Sequence, residues 1–93
     1  LTTNYHPADP KDWILNSLGY AYLLEKKDVD SAIELFKLNT ELFPDVGNCW
    51  DSYGEALLRK GKKKEALNAY KKALDINPDI PSAKEAVKKL EVK

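Results

Sequence analysis

Apolar residues along this chain recur three and four positions apart instead of alternating, which is the spacing of a helix face and not of a strand. Leu15, Leu18, Gly19 and Tyr22 make the first such face, in a helix expected from about Pro10 to Lys26. Asp9 can cap its start, proline suits its first position, and Asp12 favours its positive end. A second helix, capped by Asp28 or Asp30, carries Ala32, Ile33, Leu35, Phe36 and Leu42 and stops at Phe43-Pro44. A third runs from about Val46 to Lys60 with Trp50, Tyr53, Gly54 and Leu57 on one face, and Gly61 suits the left-handed conformation that closes helices. The fourth, about Lys63 to Ile76, presents Ala66, Leu67, Tyr70, Ala73 and Leu74 and ends at Asn77-Pro78. The fifth, about Ile80 to Glu91, is thinner in apolar residues (Ala83, Ala86, Val87, Leu90) and rich in charge. Residues 1–9, with Pro7 and no periodicity, read as a linker or an arm. The folded domain is expected over residues 10–93, with five antiparallel helices and no strand.

The two halves repeat. Ala32 and Ala66, Phe36 and Tyr70, and Pro44 and Pro78 are each 34 residues apart, while Gly19 and Gly54 are 35 apart. Two antiparallel helices approach closely only where one offers a small residue and the other a large one, so Gly54 and Ala66 make room while Trp50 and Tyr70 fill space. One extra residue falls between Tyr20 and Lys27. Lys27 stands where the second half has Gly61, and Asn39 stands where it has Ala73. A 34-residue helical period with W-x2-L-G-x2-Y, A-x3-F and P is the tetratricopeptide pattern. Residues 47–80 resemble it closely, with Trp50, Tyr53 for Leu, Gly54, Leu57 for Tyr, Ala66, Tyr70 for Phe, Ala73 and Pro78. Residues 12–46 follow it with Leu15, Leu18, Gly19, Tyr22, Ala32, Phe36 and Pro44. The chain therefore resembles tetratricopeptide repeat proteins over nearly all its length past residue 9. That resemblance implies an all-α, right-handed α-solenoid of two helical hairpins, about 12–46 and 47–80. The fifth helix would be its capping helix, since terminal repeats need a polar outer face.

Length and charge narrow the function. The chain has 93 residues, enough for one small domain, and its 15 basic residues balance 15 acidic ones, so it has no overall electrostatic pull toward nucleic acid. No apolar run approaches the roughly 18 to 20 residues that span a bilayer. A start at Leu1 without Met reads as a piece of a longer protein. No nucleophile motif, metal-ligand spacing or phosphate-cradling glycine loop is present, and no cofactor or metal is expected. The sole histidine, His6, sits in the arm; the lone Cys49 reads as a plain helix residue; the run from Arg59 to Lys64 reads as a solvated turn.

Binding remains, and the resemblance implies where. In that family the first helix of each repeat lines a concave groove. By position, helix 1 would offer Trp13, Asn16, Tyr20 and Leu23, helix 3 Asn48, Asp51, Ser52 and Glu55, and helix 5 Ser82, Glu85 and Lys89. Equally open is a reading in which Trp13 and Tyr20 only cover the core edge. The cationic clamp by which some members grip a terminal carboxylate is missing, and Asp51 and Glu55, four apart on one exposed face, favour a basic or amphipathic segment. Local phrases such as Leu15-Asn16-Ser17-Leu18-Gly19-Tyr20 also resemble the repeat tails of bacterial serine hydrolases. That narrower likeness implies a hydrolase parent at the cell envelope or in the periplasm; without it the expectation is cytoplasmic. Three functions compete: a protein-interaction module, a structural tail docked on its own enzyme domain, and a self-association module.

Overall fold

The computed structural model describes residues 9–91, with side chains from Asp12 onward. The expected arm and the capping role of Asp9 lie outside what is described. Among the described residues there are five helices and no strand: α1 (Asp9–Tyr20), α2 (Val29–Leu42), α3 (Gly47–Lys60), α4 (Lys63–Ile76) and α5 (Pro81–Glu91). Successive helices pack as antiparallel hairpins into a body of 51 × 30 × 18 Å. The architecture is the all-α helical-repeat solenoid that the 34-residue period implies.

Helix ends follow local chemistry. Asp28 caps α2, its carboxylate accepting from the Ser31 amide at 3.1 Å and from the Ser31 hydroxyl at 2.8 Å, and these bonds hold its pKa below the ordinary value. Gly61 closes α3 in the left-handed region at φ 91°, where a side chain would be strained. Pro44 and Pro78 are exposed and act as stops, denying the helix a donor and restricting the residue before them.

Helix 1 departs from expectation. It does not continue as an α-helix to Lys26 but passes into a π turn at Ala21–Glu25. The extra residue of the first repeat is taken up there, because a bond spanning five residues absorbs one more per turn than a bond spanning four. The Lys26 amide reaches Ala21 O at 3.1 Å, and the Asp28 amide reaches back six residues to Tyr22 O at 2.8 Å. In the second hairpin the Lys62 amide reaches back only five, to Leu57 O at 2.9 Å. Lys27 then adopts the left-handed conformation, at φ 54°, that Gly61 adopts in the other hairpin.

The core has two parts. One joins Leu57, Ala66, Ala69, Tyr70, Ala73, Ile80 and Ala83; the other joins Leu23, Ala32, Phe36 and Ala56; Ile33 and Tyr53 pack against both. Glycine sets the closest approach in each hairpin. A Cβ on Gly19 would lie 2.7 Å from Phe36 Cζ, inside any tolerable contact, whereas one on Gly54 would lie 3.1 Å from the Tyr70 ring. Phe36 is fully buried and has nowhere to move. Of the expected packing residues, Leu15, Tyr22, Trp50 and Tyr53 are half-buried. Leu18 is not a core residue: it is 45% exposed. Its counterpart Tyr53 packs against both core clusters, as Ile33 of the hairpin ahead also does, and no described helix lies ahead of α1.

Candidate functional site

The first helices α1, α3 and α5 carry the residues assigned to the groove, and a seam of hydrogen bonds runs across them. Ser52 donates to Asn16 Oδ1 at 2.6 Å and Tyr20 to Glu55 Oε1 at 2.7 Å, joining α3 to α1. Ser82 donates to Asp51 Oδ2 at 2.8 Å, joining α5 to α3. Tyr20 and Glu55 are equivalent positions 35 residues apart, so their bond joins corresponding places on α1 and α3. The structure thus brings together Asn16, Tyr20, Asp51, Ser52, Glu55 and Ser82. Trp13, Asn48, Glu85 and Lys89 stand exposed outside the bonded seam. Leu23 does not belong to this face; the π turn carries it into the core, where it is 3% exposed.

Asp51 is not the exposed carboxylate its spacing suggested. It is 8% exposed, its Oδ2 takes the Ser82 bond, and its Oδ1 has no partner. Burial raises its pKa, the Ser82 bond opposes that rise, and the Glu55 charge adds to it. Tyr20 and Tyr70 titrate well above the ordinary phenol range, chiefly through burial, with the Asp51 and Glu55 charges adding to both. The four groups therefore form one electronegative centre, in which the incompletely bonded carboxylate of Asp51 lies close enough to the half-buried Tyr20 and Glu55 to act on their charges. Glu55 also meets Arg59 at 3.4 Å, an exposed pair of small worth. Tyr20 stands edge-on to Phe36 with ring centroids 5.0 Å apart, so its ring belongs to the core while its hydroxyl faces the seam.

Catalytic chemistry has no support at this centre. Cys49 is 1% exposed, and burial together with the Asp12 charge pushes its thiol up to about 12, so it stays protonated and unreactive. Among the described residues no group of three or more metal-ligating side chains comes together, and no helix is long and apolar enough to cross a membrane.

Two features escaped the reading of the sequence. The seam was legible in principle, since adjacent polar pairs Asn16-Ser17 and Asp51-Ser52 recur 35 residues apart. The bond from Asn39 Nδ2 to Asp12 O, at 2.9 Å, was not, because nothing in the pattern says what replaces a small alanine at a helix contact.

Residues 47–80 match the family model of the tetratricopeptide repeat. Human protein O-mannosyl-transferase TMTC1 is 32% identical over 88 residues, which is 91% of this chain and 10% of that protein. The chloroplastic tetratricopeptide repeat domain-containing protein PYG7 of Arabidopsis thaliana is 32% identical over 66 residues, 71% of this chain and 22% of that protein. Human protein arginine N-methyltransferase 9 is 47% identical over 45 residues, 48% of this chain and 5% of that protein. The chain spans less than a quarter of each of these relatives, and none of the three is named as a serine hydrolase. Residues 47–80 are therefore a tetratricopeptide repeat, carried in an all-α repeat solenoid whose first hairpin is built on the same small-and-large pairing.

Proposed function

We propose that this chain is a non-catalytic protein-binding module whose α1, α3 and α5 faces receive a basic or amphipathic segment of a partner. The observation that carries this reading is the electronegative centre of Asp51, Glu55 and Tyr20, where a buried carboxylate oxygen has no partner. A lysine or arginine brought beside Glu55 would lower the cost of the Asp51 charge. Exposed Trp13, Asn48, Glu85 and Lys89 would then flank the segment.

The test uses fluorescently labelled peptides of equal length, basic amphipathic against acidic, titrated with the chain and with Glu55→Lys. Saturable binding of the basic peptide, weakened by Glu55→Lys and by salt, supports the groove. Equal affinity for both peptides, or full affinity retained in Glu55→Lys at low salt, removes it. A second reading, docking on the rest of a longer parent chain, draws support from two relatives named as transferases, of which this chain spans only 10% and 5%. In that case binding of the same face to the parent's other domain would replace binding of peptide.

A further inference from the structure

Charge is sorted between the two edges of the solenoid, although the whole chain is neutral. Residues 24–31 and 58–65, which hold the turns inside the two hairpins, carry seven lysine or arginine side chains and four carboxylates. Residues 41–48 and 75–82, half a period further on, hold the turns that leave each hairpin and carry four carboxylates and no cation. All of these charged side chains are exposed. Each edge is one continuous surface. On the basic edge Lys60 reaches across to Asp30 of α2 at 2.8 Å, and Lys27 and Arg59, from different hairpins, line one depression. On the acidic edge the two turns touch, since a Cβ on Gly47 would stand 3.3 Å from Asn77 Cβ and 3.0 Å from Ile80 Cδ1. Lys27, Lys63 and Lys64 of the basic edge make no ion pair with a described residue, and neither do Glu41, Asp45 and Asp75 of the acidic edge.

Apolar side chains complete the match. Between Lys27 and Arg59 the depression on the basic edge is lined by Leu23, Leu24 and Val29, and Leu24 is 49% exposed. On the acidic edge Leu42, 56% exposed, is flanked in the chain by Glu41 and, three residues on, Asp45. An exposed leucine among carboxylates is the complement of an apolar depression among cations. We infer that the basic edge docks the acidic edge of a second copy of this chain, with Leu42 of that copy entering the depression at Leu24 and Val29 while its Glu41 and Asp45 approach Lys27 and Lys63. The two edges lie at opposite ends of the helices, so each copy keeps one edge of each sign to offer. The contact is therefore head-to-tail, and assembly continues past two copies into a chain or a closed ring. Both edges run along the solenoid, so repeats stacked at either end of it would leave them open. The inference does not rest on the groove reading: of the residues lining the depression, only Arg59 meets the groove centre, through Glu55.

The test is analytical ultracentrifugation of the 93-residue chain at concentrations up to about 1 mM. At low salt the weight-average mass is expected to rise past that of a dimer, and the rise is lost at about 1 M salt, where charges are screened beyond about 3 Å. Two charge-reversed variants leave Glu55 and Arg59 untouched: Lys27→Glu with Lys63→Glu on the basic edge, and Glu41→Lys with Asp45→Lys on the acidic edge. Each alone is expected to stay monomeric. An equimolar mixture is expected to associate again, because each variant supplies the edge that the other has lost. Leu42→Ser, with every charge intact, is expected to weaken association by about tenfold. A chain that stays monomeric at low salt, a mass that levels off at a dimer, or a mixture no more associated than its parts overturns the inference. So does full association of Leu42→Ser, since the depression would then receive nothing.

Discussion

The two hairpins solve one packing problem with different tolerances. Each sets a glycine of its first helix against an aromatic ring of its second, Gly19 on Phe36 and Gly54 on Tyr70. The second hairpin is regular: α3 buries Gly47, Cys49, Asp51, Ser52, Gly54, Ala56 and Leu57, and a glycine closes it. The first is strained and half-covered. Of the described side-chain positions of α1 only Gly19 is buried, a π turn absorbs the added residue, and Lys27 holds a left-handed backbone that glycine would hold at less cost. Where Ala73 lets α4 close on Gly47, Asn39 fills the space and ties itself to Asp12 O, leaving its own Oδ1 without a partner. A repeat is thus preserved by its contact rule rather than by its residues. One hairpin can depart at the turn, the closing residue and the small contact position while the glycine–aromatic contact persists.

The comparison breaks first at the glycines. Gly19→Ala is expected to destabilise by about 2 to 3 kcal/mol, because the added methyl overlaps a fully buried ring. Gly54→Ala is expected to change stability by less than about 1 kcal/mol, since a tight contact is offset by alanine's better helix propensity. Urea denaturation of both variants reads the difference, and equal losses would show that the two contacts are equally tight.

At the closing residues the signs should oppose. Lys27→Gly is expected to stabilise and Gly61→Ala to destabilise, each by about 1 kcal/mol, because both positions lie in the left-handed region where a Cβ is penalised. Thermal melts that moved in the same direction for both would mean that φ does not govern these turns.

The seam gives a smaller, pH-dependent effect. The folded-state pKa of Asp51 is raised, so its neutral form is favoured on folding. That contribution is fully present below the ordinary carboxylate value, about 4, and is lost as pH rises through the folded value. Asp51→Asn, which keeps an acceptor for Ser82, should therefore melt a few degrees higher than the parent at neutral pH, with the advantage shrinking on acidification. A difference independent of pH would show that the gain is not electrostatic. Smallest of all, Cys49 should resist thiol reagents at neutral pH until the chain unfolds, given its burial and raised pKa; labelling of the native chain at the rate of a free thiol would place it at the surface.

Most of the fold was legible because the devices that set it are local. Proline and glycine mark the helix ends, and Ala32, Phe36, Ala66 and Tyr70 state the period twice. Even the irregularity between Tyr20 and Lys27 showed as an added residue, though periodicity could not say that a π turn would absorb it or that Leu23 would rotate inward. The groove was legible only as a face. Spacing put Asp51 and Glu55 together, but whether a residue on that face is open or covered depends on the helix that follows, and Ser82 of α5 closes over Asp51. Leu18 failed in the opposite sense: its pattern is that of a core residue, yet it is 45% exposed, because no described element packs on that side of α1.

Native-state hydrogen exchange of the 93-residue chain tests the inequality of the hairpins most directly. The account predicts that amides in α3 and α4 exchange only through global unfolding, whereas those in α1 and the Ala21–Glu25 turn exchange through local openings of distinctly lower free energy. Equal protection across α1, α3 and α4 would contradict it, since the first hairpin would then be as tightly held as the second.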